Sequence, residues 1–218
     1  MIIALDGPAG CGKSTIAKLL SSRLGFVYIN SGSIYRAISL AAMERHISLG
    51  EESALIACAS SVSIDYDAEG TIILNGQKVT SELRTAAVDA IVAQVSAIPE
   101  IRSIVNAIVR KIAASKNAIV EGRDMTTVVF PDAEVKFYID ASVEERARRR
   151  FAQGASTMSR EEILENIKMR DQIDRGKKVG ALKIAADALY LDTSDLTIEQ
   201  VYEKVYSKIL HIREAHGE

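Results

Sequence analysis

Tryptophan is absent from this chain of 218 residues, and there are only three prolines and two cysteines. Cys11 and Cys58 are too few for a disulfide framework and stand at no metal-ligand spacing, so a disulfide-stapled fold is excluded and a reducing compartment is expected. An excess of one charge is also missing. Lys and Arg total 27 against 29 for Asp and Glu, a formal net charge of -2, so no global basic field points to nucleic acid or a membrane as partner. No apolar run approaches the roughly 18 residues of a membrane span, and no basic segment precedes the short apolar start. The expectation is a cytoplasmic monomer that acts on small molecules. His46, His211 and His216 lie far apart and match no zinc or triad spacing, so they are assigned no chemistry.

What the chain does have is apolar content, 48% of its residues, enough for one core, and a single domain over 1–218 is expected. An apolar run at 2–5 ends in Asp6-Gly7. Beyond a glycine loop, Ile16, Leu19, Leu20 and Leu24 recur at helical spacing before Gly25. Residues 26–30 read as a second strand and 31–45 as a helix with Ile34, Ile38, Ala41 and Ala42 on one face. The segment 61–79 alternates, with Asn75-Gly76 as a turn, which predicts a small antiparallel insertion. Helical patterning returns over 81–114, where Pro99 begins a second helix. Buried strands are predicted at 118–121, 135–140 and 188–192. Five strands alternating with helices predict an α/β fold, a five-stranded parallel sheet flanked by helices.

The run Gly7-Pro8-Ala9-Gly10-Cys11-Gly12-Lys13-Ser14-Thr15 fits G-x-x-x-x-G-K-[ST] and lies between a predicted strand and a predicted helix, where that motif must lie. Glycines let backbone amides wrap a polyphosphate, and the helix start adds free donors and a positive dipole end. Lys13 is expected on the β and γ phosphates of ATP or GTP, and Ser14 on Mg²⁺. Switches, motors and kinases share this motif. The absence of an N-K-x-D segment counts against a GTP switch, and the retained Lys13 and Ser14 count against a non-catalytic binding module.

Three arginine groups point to a phosphorylated acceptor, because an anion approaching an anion needs cationic help. Ser31, Tyr35 and Arg36 follow the second strand, and Gly122-Arg123-Asp124 follow the strand at 118–121, at ends where α/β sheets gather ligands. Individually these are also a helix cap, a half-buried aromatic and a strand-ending turn. In Glu145-Arg146-Ala147-Arg148-Arg149-Arg150, helical spacing puts Arg146, Arg149 and Arg150 on one face and Arg148 nearer Glu144. A polar stretch at 153–159 follows as a candidate lid. The bland reading is a solvated charge run. Arg170, Asp174 and Lys177 share a helix face if the helix persists that far; the alternative is a surface ion pair contributing roughly 0.3 to 0.5 kcal/mol.

Taken together, GPAGCGKST, SGSIYRA, LNGQKVTSELRT, PEIR, EGRDMTTVVFP, VEERARRR, RDQIDR and ADALYLDTSDLTIEQV resemble the bacterial cytidylate kinases in order and spacing along nearly the whole chain. The resemblance implies ATP-dependent phosphorylation of CMP and dCMP in pyrimidine nucleotide metabolism, with Mg²⁺. It assigns Ser31, Tyr35, Arg36, Arg102, Gly122, Arg123, Asp124, Arg170, Asp174 and Lys177 to the acceptor, with Asp174 on its sugar. Lys13, Asp124, Arg149 and Arg150 would take part in transfer, the last two from a lid at about 149–160, and an insertion at about 61–83 would form the acceptor-binding lobe. Alternatives are a relaxed base preference that admits UMP and a P-loop kinase of another small molecule, such as a sugar.

Five positions depart from the family's pattern. Ala93 stands where a serine hydroxyl would face the base, and Lys177 replaces an arginine, which gives up a planar bidentate fork. Thr126 stands for a usual glycine, Glu121 for a common Asp and Asn30 for a frequent Asp. The Ala93 change is expected to lower base discrimination by about 1 to 3 kcal/mol if a partner is left unpaired. The acidic changes bear on Mg²⁺ placement.

Overall fold

The structure, a computed structural model, describes residues 1–67, 70–154 and 158–215. In chain order its elements are β1 (Ile2–Asp6), α1 (Lys13–Leu24), β2 (Val27–Asn30), α2 (Ser31–Glu44), α3 (Glu52–Ser61), β3 (Ile64–Tyr66), β4 (Ile72–Leu74) and β5 (Gln77–Val79). There follow α4 (Ala86–Val95), α5 (Pro99–Ala113), β6 (Ala118–Gly122), β7 (Val135–Asp140), α6 (Val143–Ala152), α7 (Arg160–Gly176), β8 (Leu189–Asp192) and α8 (Ile198–Ala215). The main sheet is five-stranded and parallel, in the order β2-β6-β1-β7-β8. The chain divides into two compact units, Met1–Phe26 with Ala118–Glu218, and Val27–Asn117.

In the first unit β1 is central. Ile3 stands opposite Ile119 on β6 and Val135 on β7, and Phe137 stands opposite Leu189 on β8. Ile3, Ala4, Leu5, Ile119, Val120 and Ile139 have no exposed surface, which is why these strands read as unbroken apolar runs rather than alternating ones. Helix α1 buries Ile16, Ala17 and Leu20 and stops at Gly25, whose left-handed backbone lets its amide donate to Ser21 O at 2.9 Å. Ala147 of α6 packs with Ile163 and Ile167 of α7, and α7 opens on a reciprocal cap between Ser159 and Glu162.

In the second unit Asn30 caps α2 by accepting from Ser33 N at 3.1 Å, and the expected face of Ile34, Ile38, Ala41 and Ala42 is buried. Strands β3, β4 and β5 form an antiparallel sheet in that order. The β4–β5 turn carries Asn75 and Gly76 at φ 51° and 84°, the left-handed pair that a two-residue hairpin turn demands. Pro99 opens α5. Helix α3 has no counterpart in the sequence reading. Its apolar residues form one unbroken run, Ala54 to Ala59, of which Leu55, Cys58 and Ala59 are buried, so no helical period stands out.

Candidate active site

The loop between β1 and α1 is fixed by sterics before any ligand chemistry enters. A Cβ on Gly7 would stand 1.9 Å from the Ile139 carbonyl oxygen, and the residue has φ 148°, so only glycine fits. Gly12, at φ 101°, caps α1, whose first turn begins with Thr15 N donating to Gly12 O at 3.1 Å. The amides ahead of Thr15 in such a first turn lack intrahelical partners and form a ready anion cradle.

Within this cradle Lys13 is 6% exposed, and its Nζ donates to Gly7 O at 2.8 Å and Pro8 O at 2.7 Å, with Cys11 Sγ at 3.4 Å. Burial lowers its affinity for a proton, with Arg123 adding to the effect and Cys11 and Glu121 opposing it. Ser14 Oγ donates to Glu121 Oε1 at 2.7 Å. Among the described residues no group of three or more His, Cys, Asp or Glu side chains is arranged to hold a metal. The hydroxyl and carboxylate of Ser14 and Glu121 nonetheless suit Mg²⁺, a hard ion that takes few protein oxygens and completes its shell from phosphate and water.

Arg146 and Arg149 of α6 both reach the phosphate loop, at Ala9 O and Cys11 O, but differ in burial. Arg146 is 2% exposed and makes a two-pronged pair with Asp171 of α7, Nη2 to Oδ2 at 2.6 Å and Nη1 to Oδ1 at 3.0 Å. It also donates to Ala141 O at 2.9 Å and to Ala9 O at 3.2 Å, so it fastens α6 and α7 to the phosphate loop instead of facing solvent. Arg148 pairs with Glu145 at 2.7 Å, not with Glu144. Arg149 donates to Glu145 Oε1 at 2.8 Å, to Thr193 O at 2.6 Å and to Cys11 O at 3.3 Å. Hydrogen bonds from Arg148, then those from Arg149, bring the Glu145 carboxyl down to about 2 despite a partial burial that opposes them. Arg150 is partly exposed near the end of α6. Of the candidate lid, residues 155–157 lie outside the described residues.

Asp174 stands between two cations. Arg123 Nε donates to its Oδ2 and Lys177 Nζ to its Oδ1, each at 2.8 Å. Burial alone would raise this carboxyl, but Arg123 and then Lys177 outweigh it and hold it well below the ordinary carboxylate range. Helix α7 ends at Gly176, so Lys177 reaches Asp174 from beyond the helix, not along a continuous face. Arg170 is half-buried on α7. Asp124 is 2% exposed and opens a single π-helical turn over Met125–Val129, its carbonyl accepting from Val128 N at 2.9 Å. Gly122 stands opposite Asp6 in the β1–β6 ladder.

In the second unit, Ser31 and Tyr35 are buried on α2. Arg36 extends to Asp89 Oδ1 at 2.5 Å and Leu83 O at 2.8 Å. Arg102 is 2% exposed, lies 5.7 Å over the Tyr35 ring and donates to Ser96 O at 3.1 Å. Ala93 is half-buried on α4, and its carbonyl accepts from Ser96 Oγ at 3.0 Å. Asp89, Glu145, Asp171 and Thr193 hold arginines of the three groups, roles that no local pattern marks, and Asp6 holds the turn after Asp124. Asp6, a lone carboxylate closing an apolar run, was the one visible signal.

A loop that closes only with glycine, followed by a lysine and a serine at the start of a helix rising from the central strand, defines the class: a P-loop nucleotide-binding protein. The chain belongs to the cytidylate kinase family, whose profile matches residues 3–211. It is 46% identical over 210 residues to the cytidylate kinase of Caldanaerobacter subterraneus subsp. tengcongensis, covering 95% of this chain and 93% of that one. With the cytidylate kinase of Pasteurella multocida it shares 41% identity over 216 residues, covering 96% and 95%. Among solved structures, an uncharacterized protein from Eubacterium ventriosum covers 96% of this chain and 98% of its own at a TM-score of 0.53 and 11% identity, a likeness of fold alone. The chain is thus a nucleoside monophosphate kinase, with ATP as phosphate donor.

Proposed function

We propose that this enzyme transfers the γ-phosphoryl group of ATP to CMP and dCMP, working with Mg²⁺, as a cytoplasmic monomer in pyrimidine nucleotide metabolism. The observation that carries the reading is Lys13, buried in the glycine loop at 2.8 and 2.7 Å from the Gly7 and Pro8 carbonyls. The loop of Gly7 to Thr15 receives the triphosphate on its backbone amides, Pro8 having none to offer, and Lys13 neutralises the β and γ oxygens. Ser14 and Glu121 would hold Mg²⁺, which would supply positive charge against that of the phosphates. An oxygen of the acceptor phosphate forms the new P–O bond as the bond to the β-phosphate oxygen breaks and ADP leaves. Arg149 and Arg150 supply charge to the transferring group, while Asp124, whose carboxylate can only accept hydrogen bonds, serves a donor group of the acceptor nucleotide.

In this reading Ser31, Tyr35, Arg36, Arg102, Gly122, Arg123, Asp124, Arg170, Asp174 and Lys177 serve the acceptor. Asp174 is already ionised and satisfied by Arg123 and Lys177, so it can accept from a sugar hydroxyl without first losing a proton. Diphosphate products are to be read directly after ATP and Mg²⁺ are supplied with CMP, dCMP, UMP, AMP or GMP. Preference for CMP and dCMP is expected; turnover of UMP above both, or of none of the five, sinks the proposal.

A further inference from the structure

The buried carboxylate of Asp6 has no part in the roles above. It is the last residue of β1, immediately before the phosphate loop, and no part of it is exposed. An ionised carboxylate in that position needs donors, and it receives three. Met125 N donates to Oδ1 at 2.9 Å, Thr126 N to Oδ2 at 2.7 Å and Thr126 Oγ1 to Oδ2 at 2.6 Å. Burial raises the proton affinity of Asp6 and the nearby Asp124 charge adds to that, while the Thr126 and Met125 bonds work the other way. Thr126 is itself 1% exposed and has no left-handed backbone, so its hydroxyl is presented without strain.

These bonds span more than a hundred residues and tie the strand that leads into Gly7 to the π-helical turn that directly follows Arg123 and Asp124. We propose that Thr126 is a positioning residue for the acceptor: through Asp6, its hydroxyl fixes the turn that sets Arg123 and Asp124 against the phosphate loop. The backbone amides of Met125 and Thr126 alone would leave Asp6 with two donors and the turn held less tightly. A small misplacement of groups that orient a reactant is costly even when nothing unfolds. The inference rests on the reading of Arg123 and Asp124 as acceptor-side residues.

The test is steady-state kinetics with CMP and ATP varied separately for Thr126→Val, Thr126→Ser and Arg123→Ala, each with a thermal melt. Thr126→Val should lower kcat/KM for CMP about tenfold with the KM for ATP within about twofold of the parent, and Thr126→Ser should stay within about twofold throughout. If Thr126→Val does not fold, Thr126→Gly, which also lacks the hydroxyl, must show the same split against Thr126→Ser. Parent-like CMP kinetics in the hydroxyl-free variants, a parallel rise in the KM for ATP, or equal damage in Thr126→Ser overturns the inference. A parent-like CMP KM in Arg123→Ala removes the acceptor reading beneath it. A raised one there, with Thr126→Val unaffected, overturns the Thr126 inference and leaves that reading standing.

Discussion

Arg36 and Arg146 each hold a carboxylate at nearly the same distance, 2.5 Å to Asp89 and 2.6 Å to Asp171, yet they are different kinds of pair. The Arg36 and Asp89 side chains are 20% and 39% exposed, and those of Arg146 and Asp171 2% and 7%. Water and salt weaken the first pair to roughly 0.2 to 1 kcal/mol, so Arg36 can exchange Asp89 for a phosphate at small cost. The second pair is committed. Its guanidinium has given up water and is satisfied by Asp171, Ala9 and Ala141 together. Between these two, burial, not bond length, separates the arginine available to a ligand from the one that holds the frame.

Lys13 breaks the simple form of that rule. It is as buried as the frame arginines, but its oxygen partners are neutral carbonyls, so removing it strands no charge. Lys13→Ala is expected to lower transfer by at least about a thousandfold with its urea midpoint unchanged or raised. Residual activity near the parent's would remove Lys13 from the chemistry.

Arg146→Met should do the reverse, costing about 3 to 5 kcal/mol in urea unfolding because Asp171 is left buried and uncompensated. Adding Asp171→Leu should recover much of that. A loss below about 1 kcal/mol in the single variant would mean the pair is not the frame element described.

Arg123 lies between these extremes, 20% exposed beside a 7% exposed Asp174. Arg123→Ala is expected to raise the KM for CMP and lower kcat, together about ten- to a hundredfold in kcat/KM. It also carries a pH signature. Asp174 has a depressed pKa in the folded chain, since Arg123 and Lys177 outweigh its burial, so its contribution to stability is full above the ordinary value of 3.8 and is lost as pH falls below it. Unfolding midpoints followed from about pH 6 to pH 3 should therefore fall less steeply in Arg123→Ala than in the parent. Equal slopes would argue against the coupling. The smallest effect is expected for Asp89→Ala: a stability change under about 1 kcal/mol and a KM for CMP equal to or below the parent's. A large destabilisation there would place Arg36 with the frame.

The strands and the phosphate loop were legible because apolar runs and a fixed glycine spacing are local signals. The Asn75-Gly76 turn and the Pro99 helix start were legible for the same reason. Arg146 was not. Within VEERARRR it is one charge in a run, and its burial depends on Asp171 in another helix. The Asp6–Thr126 link likewise joins positions that no periodicity relates. At Thr126 the sequence showed that a usual glycine was missing, but not that the new hydroxyl would meet a carboxylate. Nor could it show that Glu121 would accept from Ser14.

At Gly7 the tolerance is a single hydrogen atom: the smallest side chain would begin 1.9 Å from the Ile139 carbonyl oxygen. The alphabet at that position has one letter, and no compensating change at a neighbouring side chain can add another, because the obstacle is main chain on β7. A drug that presses on this loop therefore meets one contact that the enzyme cannot alter by point mutation without moving the sheet itself.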